Sequence, residues 1–354
     1  MKINRYKILS IIFVVILVIP TILWPMFWNK KSLSLDENRN LNKFQFQFNK
    51  FGNAFENFYN DHFPFRGGFI KMYEKILFGL QENLGIEAPI EVGETVSYRN
   101  GWIFYRDEMP YYTGANIVDE AEMKQYGEAM KGVTEFFQSA GKQVVFQIGV
   151  NKSEIWGKDK IYNINIFNEY KRLDRLSDYL YKNYPTVRFS YAKPQLLLNK
   201  KFYQNYYEFD GHWNKMGGYI AYNELKRLLN LPIYEEQDFN KIETTSIGQY
   251  KRENKELIVD YNPPQTTGKN VVCFGDSFLD AQKDYFRKDF NGFKVYQNSQ
   301  INTHPNSITG ANPEPIADIK EAITDSDIIV IEKVERYDYA ILNLINRILQ
   351  IATE

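Results

Sequence analysis

The stretch Val271-Val272-Cys273-Phe274-Gly275-Asp276-Ser277-Phe278 decides how the rest of the chain is read. A short apolar run ends in Gly-Asp-Ser, and a helix-like pattern follows. In a parallel α/β sheet this is where a strand gives way to its crossover helix, and ligands collect at such strand ends. A serine there presents its hydroxyl at the rim, with the N–H groups of a helical first turn nearby to receive negative charge. That placement suits a nucleophile. The tripeptide alone is weak, since average composition places it by chance in about one chain in ten of this length. Its meaning depends on whether the chain also supplies a base.

Working outward, residues 119–140 read as a helix ended by Gly141, and 144–148 as a strand with Asn151-Lys152-Ser153 just past its C-terminal end. Residues 165–183 are helical in pattern, 186–189 form a short strand, and Asn214 caps a helix reaching about residue 230. Residues 231–268 are polar and read as irregular, with Pro263-Pro264 marking a loop. Strands follow at 271–274, 294–297 and 327–332, and a helix at 337–351 closes the chain. Strands alternating with helical patterns imply crossover units and a parallel sheet covered on both faces. Ahead of this lie a polar tether at 32–43, strand-like alternation at 44–48, and a helical pattern placing Phe55, Phe58 and Tyr59 on one face. A second helix at 69–84 stops at Gly85, and Asn100-Gly101 joins two β-prone runs, 96–99 and 102–105. Asn-Gly accepts the positive φ of a tight hairpin turn.

Residues 8–28 are an almost unbroken apolar run of 21 residues. At 1.5 Å per residue such a helix spans a bilayer core of about 30 Å. Lys2, Arg5 and Lys7 precede it and Trp24 and Trp28 lie near its far end, the arrangement of a signal anchor with a cytoplasmic N-terminus. A cleaved signal peptide is the competing reading, but no small-residue cleavage pattern follows the run. The expected organisation is a transmembrane anchor at 1–30, then a tether, helices and hairpin at 31–118 that pack on the main domain. The main α/β domain occupies 119–354, outside the cytoplasm.

Composition narrows the function classes. Forty-three basic and 44 acidic residues nearly cancel and no block of either sign dominates, so a nucleic-acid partner is not expected. A single cysteine, Cys273, excludes an intrachain disulfide framework and a cysteine-built zinc site. No motif calls for a metal or an organic cofactor. Aromatic residues make up 16% of the chain, enough for a large aromatic core and compatible with a carbohydrate groove.

Three histidines compete for the role of base. His212 lies in Tyr207-Glu208-Phe209-Asp210-Gly211-His212-Trp213-Asn214, directly before a helix. In an extended segment side chains two apart share a side, which lets Asp210 hold Nδ1–H while Nε2 faces outward. Gly211 between them allows a close approach by substrate or another backbone. The competing reading is a loop histidine serving the next helix end. His304 precedes Pro305 and has no carboxylate at a useful spacing, and His62, among aromatics, reads as a helix-end contact.

Gly275-Asp276-Ser277 with Asp210-Gly211-His212-Trp213 upstream resembles the SGNH-hydrolase-like proteins of the alginate O-acetyltransferase type. In these an Asp-x-His-Trp block precedes the Gly-Asp-Ser block. Residues 61–66, 101–105, 151–153 and 331–336 also fit, so the resemblance covers roughly 34–340. It implies an SGNH-like fold and an exported O-acetyltransferase with Ser277, His212 and Asp210 as its catalytic residues. It also implies a polysaccharide acceptor and a membrane-bound O-acyltransferase as acetyl-donor partner. No carbohydrate-binding domain follows the catalytic one, which leaves alginate itself open as acceptor. The Gly-x-Asn-Asp block of ordinary SGNH esterases is missing, so the side-chain oxyanion donor is open too. Asn151, at a strand's C-terminal end, is a candidate, and Tyr207 and Trp213 are candidates for substrate contact. An esterase with the same triad and a non-catalytic polysaccharide-binding protein are the alternative functions.

Overall fold

The computed structural model describes residues 5–27, 33–34, 39–40, 51–84, 90–92, 94–97, 102–233, 240–247, 253–260, 263, 265–298, 300–301 and 314–354. They belong to two compact units, residues 1–86 with 90–94, and residues 87–89 with 95–354. The second unit is continuous from residue 95, so residues 95–118 share it with the α/β core. The cause is aromatic packing: Trp102, Phe104 and Tyr112 cluster with Ile161, and Tyr111 enters the main core.

In the first unit Arg5–Phe27 is one continuous α-helix. Among the described residues, however, no helix is long and apolar enough to cross a membrane. Phe51–Asp61 and Arg66–Leu84 are helical as the patterns predict. Trp24 packs on Phe55, Phe58 and Tyr59, with ring centroids 5.6, 6.0 and 5.1 Å away. His62 is a helix-end contact, its ring 4.2 Å from that of Phe58 and its Nδ1 3.0 Å from the Phe58 carbonyl oxygen. The alternating stretch at 44–48 lies outside the described residues.

The second unit is built on five strands, β1 Gln143–Gly149, β2 Phe189–Tyr191, β3 Asn270–Gly275, β4 Gly292–Gln297 and β5 Ile328–Val334. They lie in the order β4-β3-β5-β1-β2, every neighbouring pair parallel. Val145, Val330 and Cys273 stand side by side across the three central strands. Every residue of β5 is buried, as expected of a β-branched run with helices over the sheet. Helices Glu120–Ser139, Arg172–Asn183, Lys215–Leu228, Ile316–Asp325 and Ala340–Thr353 flank it. In Arg172–Asn183 the buried residues Leu173, Leu176 and Leu180 recur at helical spacing. Asp119 caps the helix it precedes by accepting the Glu122 N–H, and Asn214 caps Lys215–Leu228 through the Gly217 N–H at 3.0 Å. The chain order brings β5 between β3 and β1, so the crevice at the C-terminal strand ends opens around β5.

Three segments differ from the sequence expectation. The helix expected from 165 starts at Arg172, because Lys171 and Asp174 form its N-terminal box. The short strand shifts from 186–189 to Phe189–Tyr191. The stretch expected to be irregular holds an antiparallel pair, Asn240–Ile247 with Glu253–Asp260. Its second strand alternates in burial, but two of the buried positions are Asn254 and Glu256, so hydropathy does not reveal the period. Strands Thr95–Ser97 and Ile103–Tyr105 pair antiparallel as predicted, with the Asn-Gly turn outside the described residues.

Candidate active site

Ser277 stands two residues beyond β3 and opens a short 3-10 turn, Ser277–Ala281, which leads into helix Lys283–Asp289. Asp276 shapes that turn. Its carboxylate accepts the N–H groups of Phe278 and Val334, each at 3.0 Å, and Lys333 Nζ lies 3.8 Å away. Burial opposes its ionisation, but Lys333 and the two N–H donors hold its pKa below the ordinary carboxylate value. The Asp276 N–H donates to Glu332 Oε2 at 2.8 Å. The turn after β3 is thus fastened to the end of β5 from two sides.

Glu332 is fully buried, and its Oε1 has no hydrogen-bond partner. Burial, with the Asp276 carboxylate beside it, pushes its pKa well above the ordinary value and favours its neutral form. Two glycines make room for it. A Cβ on Gly275 would lie 2.4 Å from Glu332 Oε2, and one on Gly149 would lie 3.0 Å from Oε1 and 2.7 Å from the Phe278 ring.

His212 reaches Ser277 from the other side. Its Nδ1 lies 2.5 Å from Asp210 Oδ1 and its Nε2 lies 2.6 Å from Ser277 Oγ. The tautomer that satisfies both contacts carries the proton on Nδ1 and accepts from the serine hydroxyl through Nε2. Asp210 Oδ1 also accepts the His212 backbone N–H at 2.9 Å. The pair is therefore set by an Asx-type turn, not by the extended spacing predicted. Burial opposes charge on both groups. The imidazole nevertheless brings Asp210 down to about 2, and the carboxylate raises His212 above the ordinary histidine value.

The loop carrying this pair is held at several points. Tyr206 bridges Trp213, and Trp213 Nε1 donates to the Phe278 carbonyl at 2.8 Å, tying the histidine segment to the serine turn. The Trp213 and Phe278 rings meet edge to face, 5.0 Å apart. The unpredicted strand pair contributes Asn254, which accepts the Phe209 N–H at 2.8 Å, and Glu256, which accepts the Tyr207 hydroxyl at 2.7 Å and the Lys215 N–H at 2.9 Å. Lys152 is buried, and its Nζ donates to the carbonyls of Ile103, Glu208 and Asp210 at 2.7, 2.9 and 3.1 Å. Burial lowers its pKa to about 7, against the pull of Glu108, Asp210 and Glu208. At Gly211 it is the Tyr105 ring that approaches, within 2.0 Å of where a Cβ would sit. Gly218, in the capped helix, lies so close to the serine turn that a Cβ would come 2.7 Å from that of Ala281.

Asn151 is buried just beyond β1. Its N–H donates to Glu335 Oε2 at 2.9 Å and its Oδ1 accepts the Arg336 N–H at 3.2 Å, while its Nδ2 has no partner. Tyr207 and Trp213 line a cavity of about 270 Å³ with His212, Ser277, Lys215, Asp280 and Ala281. A larger cavity, about 690 Å³ between β4 and Ile316–Asp325, contains none of these groups. His304 lies outside the described residues. Among the described residues no cluster of three or more His, Cys, Asp or Glu side chains is placed to hold a metal ion. Sequence reasoning missed Asn254 and Glu256, and it gave no role to Lys152 or Glu332, although both lie in stretches that fit the resemblance. The available signal for Glu332 was a charged pair, Glu332-Lys333, inside an otherwise apolar strand.

No protein-family model and no curated protein matches the chain. Among solved structures it is similar to the O-acetyltransferase domain of Pseudomonas putida AlgJ, at 16% identity and a TM-score of 0.45, over 75% of this chain and 99% of that one. It is similar to Bacillus cereus PatB1 at 11% identity and a TM-score of 0.44, over 72% and 97%. It is also similar to a DHHW family protein from Eubacterium siraeum at 11% identity and a TM-score of 0.48, over 74% and 97%.

Proposed function

We propose that the protein is an O-acetyltransferase acting through an acetyl-serine, with Ser277 as nucleophile, His212 as general base and acid, and Asp210 as its orienter. The observation that carries this reading is the unbroken contact chain from Asp210 through His212 to Ser277, 2.5 and 2.6 Å long. Nucleophile, base and orienter within such reach are what acyl transfer requires. Ser277 Oγ attacks the acetyl carbonyl carbon and passes its proton to His212 Nε2, while the carbonyl electron pair becomes an oxyanion. The oxyanion collapses, the donor's leaving group departs with the proton from His212, and acetyl-Ser277 remains. An acceptor hydroxyl then loses its proton to His212, attacks the ester carbon and expels Ser277 Oγ, which recovers that proton.

The acceptor in this reading is a cell-surface or secreted polysaccharide, on the strength of the sequence resemblance. The same resemblance supports a membrane-bound O-acyltransferase as source of the acetyl group. The apolar N-terminal run and its flanking charges support a signal anchor with the catalytic unit outside the cytoplasm.

A second reading is an esterase, in which water is the acceptor, and it is favoured by the partial exposure of Ser277 and His212. Purified full-length protein given 4-nitrophenyl acetate, with and without oligosaccharides, separates the two. The transferase reading expects nitrophenolate release that depends on Ser277, rises with acceptor and leaves acetyl on the sugar. Release that no sugar alters points to the esterase. Release that survives Ser277→Ala overturns both.

A further inference from the structure

We propose that Arg336 supplies the side-chain half of the oxyanion hole, an inference that rests on the acyl-transfer reading above. Ser277 follows β3 and Arg336 follows β5, which are adjacent and in register, Phe274 opposite Ile331. Both residues therefore emerge at the same rim of the sheet.

The guanidinium shares two walls with the catalytic relay. Its carbon lies 4.4 Å from the centre of the Tyr105 ring and 5.5 Å from that of Phe278. Tyr105 packs on Gly211, between Asp210 and His212. Phe278 follows Ser277 in the chain, and its ring centre is 5.0 Å from that of His212.

The donors of Arg336 are incompletely used. Nη1 reaches Glu108 Oε1 only at 3.4 Å, and Nε is buried without a hydrogen-bond partner. A buried donor left unpaired is uncommon and calls for an explanation, a catalytic role among them. Its charge is felt at the relay, opposing protonation of His212 and favouring ionisation of Asp276. A fixed cation beside the Ser277 turn is oriented before the reaction begins. It therefore stabilises negative charge on the acetyl oxygen without reorganising.

Asn151 is another orphaned donor, but it follows β1, which β5 separates from β3. Its Oδ1 holds the Arg336 N–H at 3.2 Å, which makes it a support for the arginine.

The competing explanation is that Arg336 only neutralises the buried Glu108. Turnover of 4-nitrophenyl acetate by the full-length protein distinguishes them, with S277A setting the background. R336Q is expected to lower kcat roughly 10²–10³-fold with KM within a few-fold. Because R336Q leaves Glu108 unpaired, E108Q and the double variant E108Q/R336Q are measured alongside it. The double variant removes both charges and is expected to regain thermal stability while its kcat stays below that of E108Q by the same factor. The acidic limb of its kcat/KM profile is expected to move up relative to E108Q, because the positive charge near His212 is gone. Asp210 and Asp276 then face the imidazole, with Lys152 behind Asp210.

Equal activity in E108Q and the double variant overturns the proposal. S277A at background with R336Q at wild-type activity rejects Arg336 alone. Turnover that survives S277A rejects the underlying acyl-transfer reading.

Discussion

The loop carrying Asp210 and the strand end carrying Glu332 flank the same serine turn, and they shift their carboxyl groups in opposite directions. Asp210 accepts a backbone N–H and the imidazole Nδ1–H, and it is ionised. Glu332 accepts one N–H, leaves its other oxygen orphaned and has its pKa pushed well above the ordinary value. Burial opposes charge at both, so the charged neighbour decides the outcome: the imidazole beside Asp210 and the Asp276 carboxylate beside Glu332. The ionised group stands on the chemistry side of Ser277, where an imidazolium must be stabilised. Glu332 stands beneath the turn, where a second charge next to Asp276 would repel it.

Asp210→Asn tests the first half of the contrast and carries the largest effect. The amide oxygen can still accept the His212 backbone N–H, but an amide neither fixes the Nδ1–H tautomer nor stabilises an imidazolium. We expect kcat to fall about 10⁴-fold with the fold retained. The raised His212 pKa means that the unprotonated base gains as pH rises through a limb above the ordinary histidine value. In the residual activity of the variant that limb moves down. A modest loss with an unmoved limb would remove Asp210 from the relay.

Next in size is Lys152→Met, which strips three carbonyls of their common donor beneath the Asp210 loop. The Glu208 carbonyl keeps the Ile103 N–H and two of the three contacts are only partly buried, so the loss is about 1–3 kcal/mol. The midpoint of urea unfolding measures it, and an unchanged midpoint would show that the loop does not depend on the lysine.

Glu332→Gln has the smallest effect. The amide oxygen still accepts the Asp276 N–H, and only ionisation is lost. A carboxyl whose pKa is raised in the fold binds its proton more tightly there than in the unfolded chain. Wild-type stability therefore declines as pH rises from the unfolded value of about 4.5 toward the folded one. The stability of the variant relative to wild type is expected to climb over that window and to be near zero below it. Parallel stability–pH curves would mean that Glu332 is not held neutral.

The sequence exposed the parts of this molecule that follow regular periods or short-range rules. The strands around residues 144–148, 271–274 and 327–332 stood out because buried parallel strands read as nearly continuous apolar runs. Asn214 was readable as a cap because it directly precedes a helical pattern. Asp210, His212 and Ser277 were picked out by residue type and order, and the structure brings them into contact. Glu256 and Asn254 were not legible. They are buried polar residues in a strand whose apolar period is inverted, and their partners lie 41 to 49 positions away. Glu332 was hidden for the same reason, since nothing local says that the Asp276 N–H will sit above it.

Gly218 carries a consequence for how the relay is gauged. The helix that follows His212 rests on the serine turn at Ala281, and the spacing is fixed by a methyl group that Gly218 lacks. The glycine acts as a shim of zero thickness between the two halves of the site. A Cβ there would lie 2.7 Å from that of Ala281, so Gly218→Ala is expected to push the helix and the serine turn apart and to loosen the 2.6 Å contact between His212 and Ser277, read as a fall in kcat. The tolerance of the catalytic gap is thus written into a position that takes no part in the chemistry.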